Sequence, residues 1–136
     1  RYSKREHIKI HHQLGDEAYY SPSKDCIVLP LVEQFRNMGE FYSTAFHEIT
    51  HSTGHHTRLN RLKATAHFGN AEYSKEELTA EIGAAALLNY AGIETKGTCR
   101  NNPAYIQSWL TVLKNDKRMV IAASGAAAKA VDYILG

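Results

Sequence analysis

Two histidines stand four residues apart at His47 and His51, with Glu48 beside the first. On a helix, positions i and i+4 lie one above the other on the same face. Two imidazoles so placed can hold one divalent ion, at Zn–N distances of about 2.0–2.1 Å for zinc. Glu48, offset by about 100° around the axis, can reach a water on that ion without entering the coordination shell. Such an ion lowers the pKa of its water toward about 7. A carboxylate alongside can take that proton as general base and later pass it to a leaving amine. The chemistry implied is metal-assisted hydrolysis of a peptide bond.

His47-Glu48-Ile49-Thr50-His51 is the H-E-x-x-H arrangement of zinc peptidases. Three fixed positions make it only moderately specific, so a third protein ligand and an open water position are needed to complete the case. One route, H-E-x-x-H-x-x-G-x-x-H, has its glycine at Gly54 but Thr57 where the third histidine is required. His55 and His56 are out of register for that role. The other route takes a carboxylate from a later helix, with Glu76, Glu77 and Glu81 as candidates. Glu77 and Glu81 share a helical face, so one could bind the ion while the other accepts the second ring N–H of a histidine. Glu76 suits a solvated helix N-terminus favoured by the macrodipole. Donors for a developing oxyanion are sought after the active helix, at His55, His56, Arg58 and Tyr73. Each of these, taken alone, is more often a surface or packing residue.

The elements that must position these groups follow from periodicity. Ile8 and Ile10 alternate with polar neighbours, Ala18-Tyr19-Tyr20 is a short aromatic strand, and Cys26–Leu29 is an apolar run ended by Pro30. Turn residues at 21–25 make a hairpin in what reads as a small antiparallel sheet. The strand at 26–30 could offer an edge to an extended peptide. Leu31, Phe35 and Met38 are spaced for a short helix stopping near Gly39. A second helix, carrying His47 and His51, is expected over 40–53, with Gly54 as a left-handed stop. Residues 55–73 show no period and read as a long loop, a length that is often functional. Ser74-Lys75-Glu76-Glu77 has the form of a capping box opening a helix to about Ala91, before Gly92. Further helices are expected over 103–115 and 117–135.

The 136 residues make one α+β domain, sheet first and helices after, with no internal repeat or low-complexity linker. Hydrophobic content of 43% and charged content of 22% are ordinary for a globular chain. A net charge of +2 gives no electrostatic footprint for nucleic acid. Cys26 and Cys99 form neither a CxxC pair nor a disulfide framework. They read as reduced thiols of a cytoplasmic protein. No apolar run approaches the roughly 18 residues of a membrane span. No leader is visible, and the start at Arg1 rather than Met is expected of a piece of a longer protein.

Glu77-Leu78-Thr79-Ala80-Glu81 resembles the E-x-x-A-D/N segment of glutamate-zincins, with Glu81 at the Asp/Asn position. That resemblance makes Glu77 the metal ligand and Glu81 its supporter. A wider set of residues points the same way. It comprises Ala18-Tyr19-Tyr20, Asp25–Pro30, Phe41-Tyr42, His47–His55, Arg58–Arg61, Glu76–Leu78, Ala80–Ile82 and the tail Ala122-Ala123, Ala130, Asp132–Leu135. Together they resemble the C-terminal zincin-like domain of ArdC-type antirestriction proteins. The resemblance implies a zincin-like fold, a zinc or other divalent cofactor, and a protein or peptide substrate. It also implies carriage on bacterial plasmids and mobile elements, where such proteins protect incoming DNA from restriction. It places single-stranded-DNA binding in a separate N-terminal domain. A catalytically idle metal-binding module in an antirestriction or primase-like protein is the competing reading, though such a module has no need of Glu48. A DNA-binding domain without metal fits the near-neutral charge poorly.

Overall fold

A computed structural model describes residues 1–62, 71–94 and 103–136. Among them run α1 (Tyr2–Arg5), β1 (Lys9–Gln13), β2 (Tyr19–Ser21), β3 (Cys26–Pro30), a 3-10 turn (Val32–Gln34), α2 (Met38–Ser52), α3 (Ala71–Ala91), α4 (Pro103–Asn115) and α5 (Lys117–Leu135). The α+β architecture is the expected one. The short α1 had no sequence signal, because four residues cannot display a helical period.

The sheet is mixed rather than antiparallel. Its order is β1-β3-β2, with β1 parallel to β3 and β2 antiparallel to it. The hairpin between β2 and β3 is present, and Asp25 takes a left-handed φ of 49° at its end. Ile27, Val28, Leu29 and Pro30 are all buried. A run buried on both faces belongs in the middle of a sheet rather than at a half-solvated edge. β3 therefore has neighbours on both sides and no edge to offer a peptide. The edge strand of the hairpin is β2.

The turn at Val32–Gln34 is a single 3-10 turn, not the short helix expected up to Gly39. The break comes at Asn37, whose extended backbone caps α2 while its side chain accepts the Glu40 N–H at 2.9 Å. Gly39 lies inside the first turn that follows. At the other end Gly54 does not adopt a left-handed φ. It serves close packing instead, because a Cβ there would lie 2.9 Å from Leu62 Cγ and 3.2 Å from the His51 carbonyl. The chain after α2 folds back on it, with Leu59 N–H donating to Thr53 O and Leu62 N–H to Gly54 O.

Helix α3 begins at least three residues before the expected capping box, so Ser74 lies within the helix. Residues 63–70, the middle of the expected loop, and Cys99 lie outside the described residues. Gly92 takes φ +68° just past α3, as a helix-ending glycine does. α3 packs against both α2 and α5. Its contact face is Leu78, Ala80, Ala84, Leu87 and Leu88, and α5 answers with Ala123, Ala127 and Ala130. Beneath α2, a core of Tyr2, Ile8, Tyr20, Ile27, Leu29 and Ala45 joins it to the sheet.

Gly83 sets how closely α2 and α3 approach, since a Cβ there would stand 2.6 Å from Thr50 Cγ2. Thr50 is fully buried and cannot retreat. Gly83→Ala is expected to destabilise the fold by about 1–3 kcal/mol in chemical denaturation. Adding Thr50→Ala should return part of that loss. Strict additivity of the two substitutions would disprove the contact.

Candidate metal centre

His47 and His51 turn the same edge toward α3. His47 Nε2 and His51 Nε2 are 3.1 Å apart. Between α2 and α3 each also meets Glu77: His47 Nε2 lies 3.2 Å from Oε2 and His51 Nε2 lies 3.1 Å from Oε1. Among the described residues these three form the group able to hold a metal ion, with their ligand atoms within 4.8 Å of one another.

The far ring nitrogens are fixed as well. His47 Nδ1 is 2.8 Å from Glu81 Oε1, and His51 Nδ1 is 2.8 Å from Glu76 Oε2. A carboxylate at Nδ1 selects the tautomer with the proton there and leaves a lone pair at Nε2. Two lone pairs and a carboxylate then face one another with no donor among them. A shared cation resolves that conflict, and the donor set of two imidazoles and one carboxylate suits zinc or a similar divalent ion.

Glu76 is the residue of the cluster that sequence spacing does not place. The sequence suits it to a solvated helix end, but with α3 running from Ala71 it falls a full turn into the helix, paired with His51 of α2. Arg61 holds its other side, with Nε 2.9 Å from Oε1 and Nη2 3.1 Å from Oε2. Arg61 is itself anchored on Thr53 Oγ1 at 2.7 Å and the Thr50 carbonyl at 2.9 Å. Nothing local in the sequence marks Arg61 for this, because the contact depends on the chain folding back over Gly54.

Charges in the protein itself follow from these contacts. Burial opposes a proton on His51, but hydrogen bonds to Glu76 and Glu77 override it and raise the pKa to about 10. His47 is raised in the same way, against burial, by Glu77 and Glu81, and held back by the charge of its neighbour His51. Burial would raise Glu77, yet the two imidazoles hold it well below the ordinary carboxylate range. Glu48 goes the other way. It is only 8% exposed, and burial pushes it up, partly offset by the imidazoles and by a hydrogen bond from the Tyr20 backbone.

Glu48, His47, His51, Glu76 and Glu77 border a cavity of about 480 Å³ whose other walls are Ala18, Tyr19, Tyr20, Pro22, Leu62 and Tyr73. Of the four expected oxyanion donors, Tyr73 lies on α3 one turn before Glu77 and faces this cavity. Its phenol is pushed above its usual pKa by burial and by the charges of Glu77 and Glu48. His55 and His56 do not border it. His55 Nδ1 is 2.8 Å from Thr57 Oγ1, and the His55 and His56 rings lie 4.4 Å apart, tilted by 30°. Arg58 is a correction. All five of its N–H donors are taken: by Glu6 Oε1, the Glu6 carbonyl, both Asp25 carboxylate oxygens and the Ser52 carbonyl. Its side chain is 3% exposed, so it has neither a donor nor a path to an oxyanion.

Comparison with known proteins bears on this geometry. The sequence pattern of the zincin-like metallopeptidases matches residues 1–126. Two Escherichia coli proteins named DNA primase TraC are 41% and 40% identical over 126 residues, 93% of this chain but only 8% and 12% of their own lengths. The crystal structure of the antirestriction protein ArdC of plasmid R388, bound to Mn(II), superposes on 98% of this chain and 49% of that one, with TM-score 0.78 and 35% identity. Its metal-free form gives TM-score 0.73. The chain thus spans a tenth or so of the curated relatives and about half of the solved structure. Among the described residues, no helix is long and apolar enough to cross a membrane.

Three outcomes are expected of the cluster. Glu76→Gln should weaken zinc binding about ten- to hundredfold in competition with a chromophoric chelator, and an unchanged affinity would show that His51 needs no anchor. In the chelator-treated protein the folded pKa of His51 lies above the ordinary 6.5. Its stabilising contribution is therefore full below about pH 6.5 and lost as pH rises through about 10. The melting temperature should fall across that window. Zinc added near pH 8 should release a proton, measured by calorimetry in buffers of different ionisation enthalpy.

Proposed function

The chain belongs to the zincin-like metallopeptidase family, and on that premise we propose that it is a zinc-dependent peptidase of the glutamate type. The observation that carries the reading is the convergence of His47 Nε2, His51 Nε2 and the Glu77 carboxylate beside the buried Glu48. His47, His51 and Glu77 would hold the ion, while Glu81 and Glu76 orient the two imidazoles through Nδ1. The cation, when bound, supplies Lewis acidity to a water and to the scissile carbonyl.

The chain's own residues do the rest. Glu48 accepts a proton from the attacking water and hands it to the leaving amine. Its burial supports that role, because a carboxylate whose pKa is raised is a stronger base and takes the proton from water more readily. Tyr73 is the donor for the developing oxyanion, and the edge of β2, rather than β3, is where an extended peptide would lie beside the cluster. His55, His56 and Arg58 take no part in the step.

We assign the substrate to proteins or peptides and the setting to the bacterial cytoplasm, in antirestriction or DNA transfer by mobile elements. The likeness to plasmid ArdC and to proteins named TraC supports this. Those relatives are much longer than the matched stretch, which supports placing single-stranded-DNA contact in a separate N-terminal domain. Zinc follows from the nitrogen-rich donor set, although the ArdC structure holds Mn(II).

Glu48→Gln should retain stoichiometric zinc and lose about 10²–10⁴-fold in peptide hydrolysis, followed by mass spectrometry on a denatured proteome digest. If the full-length protein carrying this substitution protects incoming DNA as well as the wild type does, the domain is an idle metal-binding module in that role.

A further inference from the structure

Among the described residues, Tyr19 is the exposed large apolar side chain that also borders the metal cavity; it is 42% exposed. Leaving an aromatic ring in water forfeits its burial energy, so a partner for it is worth seeking. Tyr19 belongs to β2, the edge strand of the hairpin. Tyr73 of α3 lines the same cavity, close enough to Glu77 and Glu48 that their charges act on its phenol. Ala18, Pro22 and Leu62 complete the walls, none of them charged. The cavity of about 480 Å³ has room for a large side chain beside the peptide backbone that carries it.

The charges at the floor give no reason to select a charged residue. Glu76 is already paired with Arg61, and Glu77 and Glu48 are the two carboxylates a dication would balance. What distinguishes the site is its apolar, tyrosine-walled rim.

We propose that Tyr19 and Tyr73 form a recognition pocket that selects a peptide residue with an aromatic or large aliphatic side chain next to the bond presented to the metal. The proposal rests on the metallopeptidase reading, since it needs a backbone group anchored at the cluster. β2 supplies one wall and α3 the other, so an entering ring would be sandwiched between elements fixed by the same packing that holds Glu77.

Amino-acid hydroxamates test this without turnover, because the hydroxamate anchors on the metal and the side chain samples the walls. The zinc-loaded Glu48→Gln protein is titrated calorimetrically with the hydroxamates of phenylalanine, leucine, glycine, lysine and aspartate. Phenylalanine and leucine hydroxamates are expected to bind about tenfold or more tighter than glycine hydroxamate. Tyr19→Ala and, separately, Tyr73→Phe and Tyr73→Ala report on the walls. Tyr19→Ala should erase the preference while leaving the glycine hydroxamate affinity unchanged; Tyr73→Phe, which keeps the ring, should keep the preference, and Tyr73→Ala should lose it whatever it does to the affinity common to all five compounds. Equal binding of all five would overturn the pocket while leaving the metal reading intact. Tighter binding of the lysine or aspartate compound would overturn it equally. Failure of every hydroxamate to bind a protein that holds zinc would instead sink the peptidase reading beneath it. An oligothymidylate that binds the same protein and is lost on Tyr19→Ala would overturn the peptide assignment in favour of base stacking.

Discussion

The packing of α3 against α2 sets every distance between the two histidines and the three carboxylates that face them. His47 and His51 come from one helix, and Glu76, Glu77 and Glu81 from the other. Their fit depends on a backbone separation that only small residues allow. Gly83 against Thr50, with Ala80 and Ala84 fully buried beside it, supplies that separation. The polar atoms could not draw the helices together by themselves. Two imidazole lone pairs and a carboxylate repel one another unless a proton or a cation stands between them, and buried carboxylates are costly when unpaired. Apolar packing therefore sets the spacing, and protons held on the imidazoles balance the carboxylates where no cation does.

A second layer keeps α2 in register with the sheet. Arg58 spends all its donors tying the end of α2, through the Ser52 carbonyl, to Glu6 after α1 and Asp25 in the hairpin. Tyr133 of α5 donates to Glu6 at 2.9 Å, and Tyr20 donates to Asp25 at 2.7 Å. The hydrogen bonds of Arg58 lower the pKa of the Asp25 carboxyl. Thus β2, the strand bearing Tyr19 and Tyr20, is fixed relative to the histidines by a buried ion-pair network rather than by its own three-residue length. The same strand reaches Glu48 through the Tyr20 backbone.

What could be read in the sequence was what local spacing encodes. The i, i+4 pair at His47 and His51 put both imidazoles on one face whatever the fold around them, and Pro103 and Gly92 marked real helix limits. The Glu77/Glu81 alternative resolved into complementary positions, one facing both Nε2 atoms and the other at His47 Nδ1. Long-range placement is where the reading failed. β3 became central because its residues are buried on both faces, and a hairpin signal says nothing about a third strand joining in parallel. Glu76 was misread because Ser74 looked like a cap; the helix began earlier, and the face of every later residue had to be read from that start. Arg58 looked available because it followed the active helix, yet its partners lie 33 and 52 residues away in sequence.

Taken together, these placements divide the site by exposure as well as by chemistry. His47, His51, Glu77 and the carboxylates beside them sit on long helices, with Glu76 locked by Arg61 and Arg61 by the backbone of α2. Tyr19 stands on a short edge strand at the mouth, where solvent still reaches it. A tightly packed floor and a more accessible rim suit the proposed metal centre, whose ligand geometry must be held to within a few tenths of an ångström. Arg61 is the joint between the two, because the chain that carries it continues directly into Leu62 on the cavity wall. Any shift of that wall is thereby linked, through Glu76, to the orientation of His51.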